Sequence, residues 1–522
     1  MTIVTNRTSR DSAAMRWFVL ILISGLTFST YWFQDFMSGL KGIMESEMGF
    51  SSEEFGRIIG LTTIANMFGM ILVGGFILDK WGIRMTGYVF GVLATIGAAT
   101  TALAAAGFFG HEKSTILTMM IVGRIMFGSG LEILCVLATR TIVKWFKGYE
   151  MALAMAINIG FGRLGTALGM ASSLDIGGGR FSPAVTFAAT LIALSFLMFV
   201  IYSFFDVRID RQAKGYILPG SAPEEDEEFH FSDFIKLITD KSFIYITLLC
   251  VTFYAAVFPF IQYAPDMLIN KFGFTAKLPA EGSVMIFGSE AMGIVAVYLI
   301  LFIFALTFSI VPSRIANLTT RKIFTFTLVA AFGIIIYNFW DILQVWLHNG
   351  SKTASLIPLG TIVFTPIFGN IVDKKGKAAS LMMLGSCLLI FAHLSLSLSN
   401  SVTLGYAALV SLGIAFALVP AAMWPSVAKI VPEKRLGTAY ATMFTVQNWG
   451  LGLFFWGIGA VLDLVNHDNL VAIRAGKMTY NYTIPIMMLV VCGIISIFLA
   501  ALLKKADKKQ GYGLEFPSSS KH

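Results

Sequence analysis

Three charged residues, Arg124, Glu132 and Arg163, interrupt otherwise apolar stretches of the sequence. They fall within 115–173, which is predicted to form two long apolar helices joined by a short basic loop, Arg140–Lys147. An ionised side chain near the centre of a bilayer costs about 2.5–3.5 kcal/mol on insertion scales. Charges retained at such positions therefore mark a candidate functional site.

The spacing of these charges predicts that they face a common space. Arg124 and Glu132 are eight residues apart, and at about 100° per residue their directions differ by only about 80°. Arg163 lies midway along the next, antiparallel helix and is expected at the depth of Glu132. Two interpretations are open for Glu132 and Arg163. They form a buried salt bridge, or they separate and hold a zwitterion between carboxylate and guanidinium.

The composition is that of a polytopic helical membrane protein. The chain has 522 residues, of which 56% are hydrophobic and 13% charged, whereas soluble domains carry about 25% charged residues. Apolar runs of about 20 residues recur, each long enough to cross about 30 Å of hydrocarbon. A membrane barrel would instead show alternating segments of about 10 residues. The predicted fold class is therefore all-α, within a lipid bilayer.

Several other classes of protein are disfavoured. The net charge of +8 reflects basic residues at one set of loop ends, which indicates membrane topology and not nucleic-acid binding. The four cysteines fall in apolar spans and are predicted to be core residues, not metal ligands or disulfides. The sequence has no His/Glu metal cluster, nucleophile elbow or Gly-Lys-Ser/Thr phosphate loop, so neither an enzyme nor a cofactor is predicted.

The apolar runs predict fourteen membrane spans, or twelve plus an inserted pair. They lie at about 17–40, 55–78, 84–107, 115–139, 149–172, 182–205, 243–264, 289–311, 322–346, 353–373, 378–398, 403–424, 437–462 and 479–503.

These spans divide the chain into two six-helix bundles and their connections. The predicted parts are an N-terminal bundle (1–206), a linker (207–242), a C-terminal bundle (243–503) with an inserted hairpin at about 289–346, and a tail (504–522). The acidic run 224–228 in the linker is predicted to be solvated. Next to it, apolar residues at helical spacing predict a short helix on the membrane surface, at Phe231, Phe234, Ile235 and Ile238.

The basic residues predict the orientation of the spans. With the N-terminus inside, most of the 38 Lys and Arg residues fall on one side of the membrane. The tip of the inserted hairpin, 312–322, is basic and falls on that same side. A pair of spans preserves the orientation of everything after it, whereas a single extra span would invert the second half. Both termini are therefore predicted to be cytoplasmic.

Two loops of the sequence resemble each other. One follows the second span, with Gly75, Asp79 and Arg84; the other follows the span at 353–373, with Gly369, Asp373 and Lys377. Each places a glycine, an aspartate four residues later, and cations around a second glycine. The first glycine permits close helix approach, and the aspartate can bind a helix N-terminus or an arginine. Breaking that contact is predicted to act as a gate, the alternative being a static loop cap.

These paired loops resemble the signature of the major facilitator superfamily, in matching positions of both halves. The resemblance covers nearly the whole chain except 276–352. It implies two six-helix bundles around a central cavity, which rock to expose it alternately to each side.

Further strings resemble the lysosomal dipeptide transporter family within that superfamily, in the same order along the chain. They are Gly123–Glu132, Lys144–Glu150, Phe253–Phe260, Lys271–Phe274, Trp424–Ala428, Val431–Glu433, Leu436–Tyr440 and Gln447–Asn448. Two features depart from the family: the hairpin at 289–346, and the lack of an acidic dileucine signal before Trp17. We therefore expect a bacterial inner membrane and not a lysosome.

The resemblance implies roles for individual residues. Glu132 and Arg163 match the family's substrate-binding acid and arginine. Arg124 matches a common superfamily arginine that is tied to helix packing or proton coupling. Tyr31 and Asp35 match polar positions, although Asp35 could equally be solvated near the outer end of its helix.

The second half is expected to supply further contacts to the same centre. Phe258-Pro259-Phe260 is predicted to break its helix and present aromatic walls. For each of these residues core packing is the alternative to ligand contact. The candidates are Tyr254, Phe258, Trp424, Gln447 and Asn448.

The favoured function is secondary or facilitated transport of dipeptides or similar small zwitterions, by a monomer. Transport of another small solute (an organic anion, sugar or amino acid) and a non-transporting membrane receptor are the alternatives. Glu132 argues against a purely anionic solute, which it would repel. Proton symport is expected if Glu132 takes up a proton, and uniport if it stays paired with Arg163.

Overall fold

The computed structural model describes residues 9–214, 237–432 and 435–517, and these ranges contain no β-sheet. The acidic run 224–228 and most of the predicted surface helix lie outside the described residues. The helices of the first half are α1 (Ala13–Asp35), α2 (Lys41–Met48), α3 (Ser52–Leu61), α4 (Ile64–Met67), α5 (Met70–Ala105), α6 (Lys113–Phe146), α7 (Met151–Ile176) and α8 (Phe181–Lys214).

The second half continues in the same all-helical manner. Its described helices are α9 (Lys241–Phe272), α10 (Glu290–Arg314), α11 (Leu318–Asn338), α12 (Trp340–Leu347), α13 (Gly350–Lys375), α14 (Ala378–Leu398), α15 (Val402–Ile430), α16 (Leu436–Val465), α17 (Leu470–Arg474) and α18 (Thr483–Gln510).

The two halves form two helical bundles. In the first, α1 packs on α7 and α8, and α5 packs on α6 and α8. In the second, α14 packs on α15 and α18, and α9 packs on α16 and α18. We call the side on which α1 begins and α18 ends the terminal side, and the other the distal side. Each bundle core is apolar, as expected for helices that must satisfy their own backbone groups within lipid.

Thirteen helices of the described residues are long and apolar enough to cross a membrane, compared with fourteen predicted spans. The difference arises at the span predicted at 55–78. That stretch is divided into α3, α4 and the beginning of α5, and α5 then continues through the third span. The two parts of α5 meet at Gly82, whose φ of 74° and ψ of 175° are not helical. The predicted loop at 75–84 is thus reduced to a bend at one residue.

Two predictions of local structure are wrong. Arg140–Lys147 is not a loop, because α6 continues to Phe146 and only the following few residues turn, with Gly148 at a φ of 90°. The helix α9 is not broken at Phe258-Pro259-Phe260. A proline removes one backbone donor, but Pro259 and Phe260 are buried against neighbouring helices, and such packing stabilises a helix through a proline.

The inserted hairpin corresponds to α10, α11 and α12. The span predicted at 322–346 is divided at Phe339, between α11 and α12. No residue of α11 is buried, whereas α10 has buried residues including Tyr298 and Phe302. One helix of the hairpin therefore packs on the protein, and the other lies outside it.

The bend at Gly82 makes a testable prediction about stability. A backbone with φ of 74° and ψ near 180° is accessible almost only to glycine, and imposing it on another residue costs about 1–3 kcal/mol. We expect Gly82→Ala to lower the free energy of unfolding by this amount, measured by thermal denaturation in detergent.

Gly333→Ala is the matched control, because Gly333 lies within α11 and an added Cβ there meets no atom within 4 Å. That control should gain up to about 1 kcal/mol. Equal effects of the two substitutions would contradict the prediction.

Candidate functional site

The two bundles are joined on the distal side. Among the described residues, the hydrogen bonds and ion pairs between the bundles lie in the distal half or near the middle. The backbone N–H groups of Ser52 and Glu53, at the start of α3, donate to the carboxylate of Asp463 on α16 at 3.2 and 2.7 Å. A carboxylate at a helix N-terminus is stabilised by the helix dipole. The structure is therefore closed on its distal side.

Small residues allow α3 and α16 to approach closely on this side. A Cβ added at Gly56 would lie 2.4 Å from the carbonyl oxygen of Phe455, and one at Gly459 would lie 2.1 Å from that of Ser52. Glycines at such positions let two helix backbones come together. The closed distal side depends on their lack of side chains.

A buried lysine adds to the distal closure. Lys41 donates to Glu45 at 2.7 Å and, across the bundle interface, to Asp266 of α9 at 3.0 Å. Asp266 also accepts a hydrogen bond from Tyr482, and the ammonium group of Lys41 lies 4.4 Å from the ring centroid of Tyr480. Lys41 is 1% exposed. The sequence analysis missed this cluster because its members are far apart in the chain, although Lys41 at the end of a predicted span was a signal.

Asp35 is not solvated. Its side chain is buried and accepts hydrogen bonds from Thr166 of α7 and from Gln262 of α9, both at 2.6 Å. It thereby joins both bundles at the distal end of α1, one helical turn beyond Tyr31. This geometry favours a role in closing the site over a role in direct solvent contact.

A small polar cavity lies between α1, α6 and α7 on the terminal side of these contacts. It has a volume of about 130 Å³, and its lining includes Tyr31, Cys135, Asn158 and Arg163. Asn158 accepts a hydrogen bond from Thr27 at 2.9 Å. Glu132 is near the same place, since both Tyr31 and Cys135 lie within electrostatic range of its carboxylate.

Glu132 and Arg163 do not form a salt bridge in the described part of the chain, where the ion pairs within 4.0 Å include neither residue. Both side chains are partly exposed. The guanidinium carbon of Arg163 lies 4.6 Å from the ring centroid of Phe416 on α15, so this arginine contacts the other bundle through a cation–π interaction. The salt-bridge interpretation is thus not the arrangement in this conformation.

Aromatic side chains of the second bundle face this region. The indole N–H of Trp424 donates to the hydroxyl of Tyr254 at 3.1 Å. The rings of Tyr254 and Phe258 stack with centroids 5.3 Å apart, and those of Trp424 and Phe444 with centroids 4.9 Å apart. Phe258 also packs edge-on against Phe416, the ring beneath Arg163. Tyr254, Phe258 and Trp424 of the predicted aromatic wall are therefore connected, whereas Phe260 packs against His393 of α14 instead.

Gln447 and Asn448 are more closely tied to their own bundle. Gln447 accepts a hydrogen bond from the thiol of Cys250 at 3.3 Å, and Asn448 donates to the carbonyl of Phe444 at 2.8 Å. Both are buried. In this conformation they are packing residues behind the aromatic wall, which was the alternative stated for them.

Arg124 is part of the helix packing. Its three guanidinium nitrogens donate to the hydroxyl of Thr62 at 3.0 Å and to the carbonyl oxygens of Phe33 and Gln34 at 2.6 and 3.1 Å. It is 0% exposed. This geometry joins α1 and α6 to the end of α3 and leaves Arg124 without access to the cavity.

The two repeated loops lie on the terminal side. Asp79 pairs with Arg140 of α6, while Arg84 pairs with Asp206 and Asp210 of α8 at 3.3 and 2.8 Å. All of these contacts lie within the first bundle. The predicted pairing of Asp79 with an arginine therefore involves Arg140.

The corresponding residues of the second bundle are less enclosed. Asp373 is exposed, and the backbone N–H of Lys377 donates to the carbonyl of Glu515 in the C-terminal segment at 3.0 Å. An added Cβ at Gly75 or Gly369 meets no atom within 4 Å. The close helix approach predicted for these glycines is therefore absent from this conformation, in which the bundles are joined distally.

These features define the class of protein. A multi-pass membrane protein made of two helical bundles, joined on one side and enclosing charged groups between them, has the construction of a membrane transporter. The sequence matches the Major Facilitator Superfamily over residues 17–348, more than half of its 522 residues. The chain belongs to this superfamily and is a major facilitator transporter.

Among curated proteins the chain is similar to lysosomal dipeptide transporters named MFSD1. It is 25% identical to the Danio rerio protein over 464 residues, covering 85% of this chain and 80% of the relative. It is 23% identical to the Homo sapiens protein over 519 residues, covering 96% of this chain and 89% of the relative.

Solved transporter structures share the fold at low sequence identity. The nucleoside transporter NupG has a TM-score of 0.59 at 14% identity, covering 93% of this chain and 99% of its own. A D-xylose-proton symporter has a TM-score of 0.59 at 12% identity, covering 95% and 98%. A bacterial homologue of the human lysosomal transporter Spinster, solved inward-facing and unoccupied, has a TM-score of 0.58 at 13% identity, covering 95% and 98%.

The glycine contacts predict how the distal closure can be opened. Gly459→Val would place methyl groups against the Ser52 carbonyl and should force α3 and α16 apart, which favours the conformation closed on the terminal side. We expect slower labelling of Cys135 by a membrane-impermeant maleimide added from the terminal side, in a Cys387→Ala background. Once the conformation closed on the terminal side predominates, the rate should fall about tenfold for each further 1.4 kcal/mol by which the distal closure is destabilised.

Gly457→Val is the matched control for this experiment. It makes the same substitution two residues earlier in α16, where the only neighbour of an added Cβ is a flexible methionine end at 3.8 Å. Labelling of Cys135 should be unchanged in this variant. An equal decrease in both variants would show that the effect comes from α16 itself and not from the contact with α3.

Proposed function

We propose that this transporter carries dipeptides or similar small zwitterions by alternating access, and that Glu132 and Arg163 bind the two charged ends of the substrate. The observation that carries the proposal is that Arg163 lines the cavity, that Glu132 lies within electrostatic range of the lining residues Tyr31 and Cys135, and that the two charges do not pair with each other. A charge retained inside a membrane protein needs a partner. A zwitterion provides an opposite partner for each of them.

The chemistry of the two side chains assigns the two ends of the ligand. The guanidinium of Arg163 can bind a carboxylate through two parallel hydrogen bonds, a geometry that the ammonium group of a lysine side chain cannot provide. The carboxylate of Glu132 accepts from the ligand's ammonium group. A purely anionic solute would meet repulsion from Glu132, and a neutral solute would leave both charges without a partner. The names of the curated relatives agree with this choice of substrate class.

The aromatic wall of the second bundle would complete the site. Tyr254, Phe258, Phe416 and Trp424 lie across from the charged residues, and Arg163 already contacts Phe416. Apolar side chains of a peptide gain from contact with such rings. Substrate bound between the charges and the rings would contact both bundles, which is what alternating access requires of a central site.

We propose further that the protein is a monomer of a bacterial inner membrane with both termini in the cytoplasm. The bias of basic residues toward the terminal side supports this orientation. The conformation closed on the distal side is then the one that opens toward the cytoplasm.

The proposal predicts a matched loss of binding on the protein and on the ligand. In the purified protein, a dipeptide at about 100 times its Kd should stabilise the folded state by about 2.7 kcal/mol. Glu132→Gln and Arg163→Gln should each weaken binding by about ten- to a hundredfold, the value of one charge-assisted hydrogen bond of about 1.5–3 kcal/mol. Thermal unfolding with a mixed dipeptide panel measures both effects.

Controls exist on both sides of the contact. Glu112→Gln removes an exposed carboxylate from the start of the same helix and should retain full stabilisation. An N-acetylated dipeptide lacks the ammonium group, so it should bind the parent weakly, and Glu132→Gln should weaken its binding little further. A dipeptide amide lacks the terminal carboxylate and should show the same relation with Arg163→Gln. The zwitterion site would be refuted if dipeptides blocked at both ends stabilised the parent protein to the same extent as free dipeptides. If only nucleosides or sugars stabilised the protein, one of them would replace zwitterions as the proposed substrate class.

A further inference from the structure

The inserted helix α10 lies along the seam between the two bundles. At the distal end of this seam α7 and α13 are in direct contact, since Lys352 of α13 donates to Asp175 at 3.0 Å and to the carbonyl of Ala171 at 3.3 Å. About ten residues further toward the terminal side, or about 15 Å along each helix, α10 contacts both. Its Phe302 packs on Phe161 of α7, and its Ser309 bonds to α13.

The contacts of α10 with the two bundles differ in kind. Toward α13 they include hydrogen bonds. The hydroxyl of Tyr298 bonds to that of Ser355, and the hydroxyl of Ser309 donates to the carbonyl of Ile362 at 2.9 Å. Toward α7 the contacts of the membrane-spanning part of α10 are apolar, and at the terminal end of α10 Arg314 lies within electrostatic range of Glu150, which precedes α7. Phe302 and Phe161 meet edge to face at 5.1 Å, and Phe302 and Leu306 lie 3.2 Å from the position of a Cβ at Gly160.

The base of the hairpin is also attached to the second bundle. Just after α9, the backbone N–H of Thr275 donates to the carbonyl of His348 at 2.8 Å, and that of Gly350 donates to Thr275 at 3.1 Å. The indole N–H of Trp346 donates to Gly282 at 2.8 Å. Hydrogen bonds are directional and hold a fixed geometry, whereas apolar contacts are non-directional and permit one surface to slide over another.

We propose that α10 is a lateral wall of the transport cavity, which moves with the second bundle, slides over α7, and keeps lipid out of the seam between α7 and α13. Without α10 the seam would open to hydrocarbon beside Gly160 and Phe161, within one turn of Arg163. Contact of lipid chains with the ionised groups of the cavity is unfavourable by several kcal/mol. A wall attached to both bundles would oppose their rocking, and a wall attached to one does not.

The covering role is tested without any substrate. In a protein whose four native cysteines are replaced by serine, a cysteine introduced as Phe161→Cys should react slowly with a maleimide confined to the lipid phase. Adding Phe302→Ala and Leu306→Ala should accelerate that reaction at least tenfold. The reporter Val410→Cys, at a side chain that is 60% exposed on α15, should react at the same rate in both backgrounds.

Two outcomes of this experiment would overturn the wall. One is fast reaction of Phe161→Cys while α10 is intact, which would show that lipid already reaches the seam. The other is an acceleration at Val410→Cys as large as that at Phe161→Cys, which would show that the alanine substitutions loosen the whole protein. Neither outcome depends on what the protein transports.

The attachment of the wall is tested by two cross-links, and this second test depends on the proposed function because it measures dipeptide uptake in proteoliposomes. A short bis-maleimide joining Tyr298→Cys to Ser355→Cys fixes α10 to α13, and uptake should stay above half of the uncross-linked value. The same reagent joining Phe302→Cys to Phe161→Cys fixes α10 to α7, and uptake should fall at least tenfold.

The two cross-links lie one helical turn apart on α10 and so control for each other. Arrest by the α13 cross-link with normal uptake through the α7 cross-link would reverse the assignment and refute the proposal. Normal uptake with both cross-links would show that α10 does not slide over α7. Absence of dipeptide uptake in the uncross-linked protein would refute the proposed substrate, while the lipid-phase labelling would still decide whether α10 covers the seam.

Discussion

Ionised groups in an apolar membrane protein must find opposite charge, hydrogen-bond partners or water, and this constraint organises the whole molecule. The guanidinium nitrogens of Arg124 donate to two backbone carbonyls and a hydroxyl, and these acceptors solvate its charge. Lys41 is held by Glu45 of its own helix and by Asp266 across the bundle interface. Glu132 and Arg163 are the exception, for neither forms an ion pair within 4.0 Å among the described residues, although Arg163 lies within electrostatic range of Asp35. This constraint explains why Arg124 and Lys41 are structural residues, and why Glu132 and Arg163 are candidates for a binding site.

The distal closure combines several kinds of interaction that can separate together. Glycine-mediated helix contact, a carboxylate at a helix N-terminus and the Lys41 cluster all join the bundles on one side. Each is favourable only while the partners are close, because polar groups regain water once the bundles part. On the terminal side the polar contacts of Arg84 and Asp79 stay within one bundle. The polar contacts between the bundles thus differ on the two sides of the protein.

The inserted hairpin changes how such a pair of bundles meets the lipid. Its first helix lies against both α7 and α13, and its second helix has no buried residue in the structure. A polar cavity between bundles is exposed to lipid wherever the seam opens, and an additional helix is one way to cover it. Along the membrane-spanning part of α10 the contacts are hydrogen-bonded toward α13 and apolar toward α7, which suits a helix that moves with the second bundle.

The sequence by itself determined the class of the protein, because length, apolar periodicity and the placement of charges are properties of the chain alone. The inserted pair, the intramembrane charges at Arg124, Glu132 and Arg163, and thirteen of the fourteen predicted spans followed from those properties. The tertiary structure decided which charge is packing and which faces a cavity, since that depends on partners distant in the chain. Lys41 and Asp266 are 225 residues apart, and Asp35 and Gln262 are 227 apart.

The persistence of α9 through Pro259 was likewise decided by packing, because the cost of one lost hydrogen bond is small beside the burial of a whole helix face. Periodicity reports only which residues are apolar along one helix, whereas the pairing of charges is fixed by how separate helices meet.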